Sequence, residues 1–291
     1  MTQKIVMVGL GMMGAPMAHN MLAAGLDLVV CDTNRDALLP FQNKSVPTFR
    51  VPADAAKGRN VVVTILPNSD IVEHVLFADN GILETLAADS LIIEMSTGSY
   101  VRSMDIANRV GAAGHRFIDA PVGRTPREAA TGNLLVMAGG SGADIKAATD
   151  IFNAVADTTL HVGPTGHGLK AKLVNNYMAM VSNAVTADTL ALAHHVGLDI
   201  HAMTKLMSTT TAGLGQLNTN YPKKVLAGDL TPDFPVSMAI KDLNMAIELA
   251  SSCGASAAFG ALAKSLFTEA AEGGLGPLDQ TAILNHMLDR S

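Results

Sequence analysis

Lys4-Ile5-Val6-Met7-Val8-Gly9-Leu10-Gly11-Met12-Met13-Gly14 decides the fold of this 291-residue chain. Its first five residues read as a buried parallel strand. The strand breaks into G-x-G-x-x-G, and Ala15 to Ala24 then reads as a helix with an apolar face. A second β-rich run, Leu28-Val29-Val30-Cys31, ends at Asp32. A dinucleotide-binding βαβ unit requires that order. Gly9 permits the tight turn, Gly11 lets backbone approach a pyrophosphate, and Gly14 allows close helix–strand packing. Leu10, Met12 and Met13 complete the loop over a helix N-terminus, whose free N–H groups and positive dipole end favour phosphates. Asp32 stands where a carboxylate accepts both ribose hydroxyls and repels a 2′-phosphate, so NAD is the expected cofactor. Arg35, three positions on, is a cation that a 2′-phosphate could pair with. Glycines serving packing alone would leave the acid unexplained.

The same alternation continues outward. Asn60–Pro67, Ser90–Thr97, Arg116–Asp119, Asn133–Ala138 and Thr158–Val162 are further β-rich runs separated by helical stretches, the pattern of a doubly wound sheet. Ligands bind such sheets at the carboxyl ends of the strands. Leu66-Pro67-Asn68, Ser96-Thr97 and Ala120-Pro121-Val122 are therefore expected as loop ends facing a cofactor cleft. Gly139-Gly140-Ser141-Gly142 reads as a plain turn, since no acid follows it at the required spacing. Character changes at Val162-Gly163-Pro164-Thr165-Gly166-His167-Gly168. Beyond it no convincing strand is expected, and Leu169 to about His195 carries a long helical pattern free of Gly and Pro. The expected architecture is an α/β Rossmann-like domain over 1–163 and an all-α domain over 164–291, joined by that long helix. Its apolar residues fall on more than one face, which points to a homodimer or homotetramer.

Composition narrows the function. Hydrophobic residues make up 48% and charged residues 16%, so the chain is not disordered. Net charge is −6, which disfavours a broad nucleic-acid surface. No apolar stretch reaches the ~18–20 residues of a membrane span, and no signal-peptide layout opens the chain. Cys31 and Cys253 lie in different halves, which fits a reducing cytoplasm and argues against a disulfide scaffold. The nine histidines show no metal-ligand spacing, so no metal is expected.

Two segments could carry chemistry. Lys172, Asn175 and Asn176 sit at helical offsets of three and four, on adjoining parts of one face. A solvated lysine beside two capping amides is the plain alternative. Asp119-Ala120-Pro121-Val122-Gly123-Arg124-Thr125 ends a buried strand with an arginine and a threonine, donors suited to carboxylate, phosphate or sulfonate oxygens. A surface arginine on a loop is the alternative there.

These residues together resemble the β-hydroxyacid dehydrogenases, the group of 3-hydroxyisobutyrate dehydrogenase and tartronate semialdehyde reductase. The resemblance runs from end to end. It rests on Gly9 through Leu22, on Asp119-Ala120-Pro121-Val122, on G-x-x-x-K-x-x-N-N at Gly168, Lys172, Asn175 and Asn176, and on Lys241-Asp242-Leu243. It implies that Lys172 is the catalytic acid/base, that Asn176 orients substrate, and that Lys241 lies near nicotinamide and substrate. Leu66 and Thr97 would contact the cofactor, and Ser96 and Asn175 the substrate. Gly123-Arg124-Thr125 replaces the family's usual Ser-Gly-Gly and is similar to the subgroup that reduces sulfolactaldehyde. Ala179 departs from that subgroup, which tends to carry Ser there. Glu94 replaces the usual Asp before Ser96-Thr97, a change expected to be structural. The implied activity is NAD(H)-dependent interconversion of a short anionic aldehyde and its alcohol, with 3-sulfolactaldehyde the leading substrate. Succinic, tartronate and 3-hydroxyisobutyrate-type substrates are the alternatives, and a non-catalytic NAD sensor is the alternative class.

Overall fold

A computed structural model describes residues 3–290. It contains one sheet whose strands are β1 (Lys4–Val8), β2 (Asp27–Cys31), β3 (Thr48–Phe49), β4 (Val61–Thr64), β5 (Leu91–Glu94), β6 (Arg116–Asp119), β7 (Val122–Gly123), β8 (Leu134–Gly139) and β9 (Ala156–Gly163). Their order is β3-β2-β1-β4-β5-β6-β8-β7, with β9 on β8. The pairs from β3 to β6 are parallel, and β8 runs antiparallel to both β6 and β7. β1 lies between β2 and β4, so the glycine loop leaves the sheet where the strand order reverses.

Period-two alternation builds two cores. Ile5, Met7, Val61 and Val63 point to one face, covered by Met17 and Met21 of helix Gly14–Ala23 and by Ile151, Phe152 and Val155 of helix Thr149–Val155. Val6, Val8, Val62 and Ile92 point to the other, under helices Ser69–Phe77 and Tyr100–Ala112. Helices on both faces bury the central strands on both sides, so their interiors are continuous apolar runs without polar alternation, and polar Thr64, Glu94 and Asp119 come only at strand ends.

Val122, expected in a loop end, begins β7 with Gly123 and bonds antiparallel to β8. Pro121 has no N–H to donate, so the chain leaves β6 there and pairs again immediately.

The first compact unit runs to Tyr177 and the second starts at Met178. The long helix spans His167–His195, so its first turns, with Lys172, belong to the first unit. Among the described residues the second unit is helical apart from a single bridge between Pro235 and Asp279. Among the described residues no helix is long and apolar enough to cross a membrane.

Candidate active site

Gly9 sits at φ +95°, a left-handed conformation costly for other residues, and donates its N–H to the Cys31 carbonyl at 3.0 Å. A Cβ on Gly14 would fall 1.9 Å from the Gly9 carbonyl oxygen. Those two glycines are fixed by close packing. Gly11 differs: it is exposed, and a Cβ there would meet no protein atom within 4 Å. That open side leaves room for a dinucleotide pyrophosphate to approach the backbone at the helix N-terminus. Met12 is also exposed, whereas Leu10 is buried and Met13 half-buried. Asp32 accepts from the Leu10 N–H at 2.7 Å and the Asn34 N–H at 2.8 Å. Its carboxylate keeps lone pairs for ribose hydroxyls. Arg50 donates to the Thr33 carbonyl at 3.2 Å and joins Arg35 as a second cation near this loop, which the sequence reading did not single out.

The loops after β4 and β5 are tied together. The Leu66 N–H donates to the Ser96 hydroxyl oxygen at 2.8 Å, and the Ser99 N–H to that of Ser69 at 2.9 Å. Ser96 is buried, Leu66 half-buried, and Pro67 and Thr97 exposed. Beneath them Glu94 accepts from the Ser96 N–H at 2.9 Å and from the Thr64 hydroxyl at 3.4 Å. Burial pushes the Glu94 carboxyl up to about 7, against the pull of its Ser96 hydrogen bonds.

Gly123 is buried in β7. Arg124, half out of the fold, has φ +73° and reaches Asp157, with its Nη1 2.6 Å from Oδ2. The same nitrogen donates to the Asn133 carbonyl. Thr125 caps the short helix Pro126–Ala130: its hydroxyl accepts from the Arg127 N–H and donates to Glu128. Both side-chain donors named from the sequence are thus engaged within the protein.

Lys172 is half-buried on the long helix, and burial lowers its pKa from the ordinary 10.5. Asn176 is half-buried beside it and Asn175 exposed. Asp119, buried at the end of β6, binds the start of this helix, a role that its place in Asp119-Ala120-Pro121-Val122 does not reveal. Lys241 is exposed on helix Val236–Ser252 of the second unit, 3.6 Å from Asp242. Among the described residues no cluster of His, Cys, Asp or Glu could hold a metal ion.

A glycine loop between a parallel strand and a helix, followed by a strand-end carboxylate, with a half-buried lysine near the start of a long helix, fits a nucleotide-dependent oxidoreductase. Residues 4–163 match the family described as the NAD binding domain of 6-phosphogluconate dehydrogenase. Residues 166–287 match the one described as the NAD-binding of NADP-dependent 3-hydroxyisobutyrate dehydrogenase. The 3-sulfolactaldehyde reductase of Escherichia coli is 38% identical over 97% of this chain and 95% of its own length. Human mitochondrial 3-hydroxyisobutyrate dehydrogenase is 30% identical over 89% of this chain and 79% of its own. A crystal structure of 3-hydroxyisobutyrate dehydrogenase from Salmonella typhimurium superposes with a TM-score of 0.65 at 28% identity, over 97% of this chain and 98% of that one. The chain belongs to the 3-hydroxyisobutyrate dehydrogenase-like family of NAD-dependent hydroxyacid dehydrogenases, and it is an oxidoreductase acting on CH–OH groups.

Proposed function

We propose that this enzyme reduces a short anionic aldehyde with NADH, or runs the reverse oxidation, and that 3-sulfolactaldehyde is its substrate, giving 2,3-dihydroxypropane-1-sulfonate. The observation that carries the proposal is Lys172: a half-buried lysine with a lowered pKa, one turn into a helix whose start is anchored to a strand end. When bound, the nicotinamide supplies or accepts the hydride. The loop Gly9–Gly14, Asp32, Leu66, Pro67 and Thr97 hold the dinucleotide. Protonated Lys172 donates to the carbonyl oxygen in reduction, and neutral Lys172 takes the hydroxyl proton in oxidation. A lysine works in both directions only when its pKa is brought toward the operating pH, and burial acts in that sense. Ser96, Asn175, Asn176 and Lys241 orient the substrate. Gly123, Arg124 and Thr125 hold the anion, which fixes the carbonyl at one distance from Lys172.

The sulfonate reading is supported by Arg124 and Thr125, and by the 38% identity to a protein named 3-sulfolactaldehyde reductase. One observation favours a carboxylate instead: Arg124 is held by Asp157 and Thr125 by Glu128. If those bonds persist, backbone donors alone remain, and they suit a planar carboxylate such as that of tartronate or succinic semialdehyde.

Lys172→Ala tests the chemistry. We expect kcat to fall by roughly 10²–10⁴-fold, with NADH binding retained. A variant keeping a tenth or more of the parental kcat removes Lys172 from the mechanism. A non-catalytic NAD sensor would bind NADH and show no aldehyde-dependent oxidation even in the unaltered protein.

A further inference from the structure

Asp119 is a buried carboxylate, 3% exposed, that the chemistry above does not use. It ends β6, and both of its oxygens face the start of the long helix. Oδ1 accepts from the Gly166 N–H at 2.6 Å and Oδ2 from the Leu169 N–H at 2.7 Å. Helix starts leave N–H groups unpaired, and most are capped by a neighbour in sequence. Here the cap comes from a strand 50 residues earlier. Its negative charge also sits at the positive end of the helix dipole.

The surrounding backbone leaves no slack. A Cβ on Gly168 would fall 2.3 Å from the Met137 carbonyl oxygen and 2.4 Å from that of Asp119. One on Gly139 would fall 2.6 Å from Asp119 Oδ1 and 2.7 Å from the Gly168 nitrogen. β6, β8 and the helix start are therefore in direct backbone contact, and the carboxylate closes the joint. Lys172 follows Leu169 by three residues, less than one helical turn. Whatever fixes the Leu169 N–H fixes where the Lys172 side chain begins. On the neighbouring strand Glu94 is the register partner of Asp119 and holds Ser96. Two adjacent strand ends thus present buried carboxylates, one anchoring the Ser96 loop and one anchoring the helix of Lys172.

We propose that Asp119 is the positioning residue for Lys172: its carboxylate docks the start of the long helix onto the end of β6 and so sets where the lysine ammonium stands. The proposal rests on Lys172 being the proton carrier. Asp119 touches only backbone N–H groups and is not itself a catalytic residue.

Asp119→Asn keeps one acceptor and turns an amide NH₂ toward an N–H it should accept from. Rates would be read with NADH and 3-sulfolactaldehyde or, if that is not reduced, tartronate semialdehyde. We expect kcat to fall by about 10- to 100-fold, while aldehyde KM and NADH Kd stay within about threefold. The pH limb belonging to Lys172 should move up toward the ordinary lysine range as water reaches the loosened joint. In a Lys172→Ala background, Asp119→Asn should change kcat no further, because the two residues act as one unit. Gly168→Ala disturbs the joint from the helix side and should give the same signature. It decides the matter if Asp119→Asn does not fold. Parental kcat in a folded Asp119→Asn, or in Gly168→Ala, overturns the proposal. So does an equal loss with and without Lys172, which would mark a general structural role. Full activity in Lys172→Ala alone would instead remove the reading on which the proposal stands.

Discussion

At the residue scale, Lys172 and Arg124 show what a sequence can and cannot specify. The grouping of Lys172 with Asn175 and Asn176 was legible because all three lie within two turns of one helix, where helical period places them together. Arg124 was legible as a type but not as a direction. Its guanidinium is aimed by Asp157, 33 residues on, and by the Asn133 carbonyl, neither of which spacing identifies. Its backbone adds a second point. At φ +73° an L-residue is strained, and a glycine fits without cost, which accounts for the family's usual glycine at this position. The ion pair with Asp157 is half-exposed, so screening leaves it worth little and its exchange for a substrate anion is inexpensive. Asp119 was hidden for the same reason as the aim of Arg124: Gly166 and Leu169 follow it by 47 and 50 residues.

At the element scale, strands of four or more residues were readable from apolar runs, and the long helix from an uninterrupted pattern. β3 and β7 were not, because two residues are too few to show a period. What the elements carry at their ends matters more than their limits. Glu94 ends β5 and is buried, and burial raises its pKa from 4.5 to about 7. A carboxyl that holds its proton more tightly when folded adds stability that is complete below the unfolded pKa and is lost as pH rises through the folded one. Across that window the loss can reach about 3 kcal/mol. Glu94→Gln, which cannot ionise, should therefore flatten the fall in stability between about pH 5 and pH 8. Denaturant melts at those two pH values measure it. Equal slopes in both proteins would show that Glu94 is not the titrating group.

At the scale of the whole molecule, the second unit is notable for what a single chain leaves uncovered. Its fully buried apolar residues, among those described, are Ala193, Val236, Ala239, Ala250, Ala270 and Ala282. Met180 at 65% exposure, Leu262 at 60% and Leu206 at 55% face outward, with Val185, Met245 and Leu249 also exposed. Five alanines and one valine supply little of the burial that offsets chain entropy. We infer that a second copy of the chain covers these helices, in keeping with the oligomer expected from the long helix. Light scattering should then give a mass of two or more times 30.2 kDa, whereas a stable monomer would refute the inference.

In the function proposed above, Arg124 and Thr125 make the anion site of this NAD-dependent oxidoreductase a sulfonate site. Three oxygens in a tetrahedral array call for donors outside the plane that backbone N–H groups serve for a carboxylate, and Arg124 and Thr125 can provide them. The most direct measurement is kcat/KM for 3-sulfolactaldehyde, tartronate semialdehyde and succinic semialdehyde, in the unaltered protein and in the combined Gly123→Ser, Arg124→Gly, Thr125→Gly variant. Loss of a charged hydrogen-bond partner costs ~1.5–3 kcal/mol. 3-Sulfolactaldehyde should therefore be preferred, and the variant should lose roughly ten- to a hundredfold on it while holding its rate on tartronate semialdehyde. A parental preference for succinic semialdehyde, or an equal loss on both substrates, would contradict the sulfonate assignment.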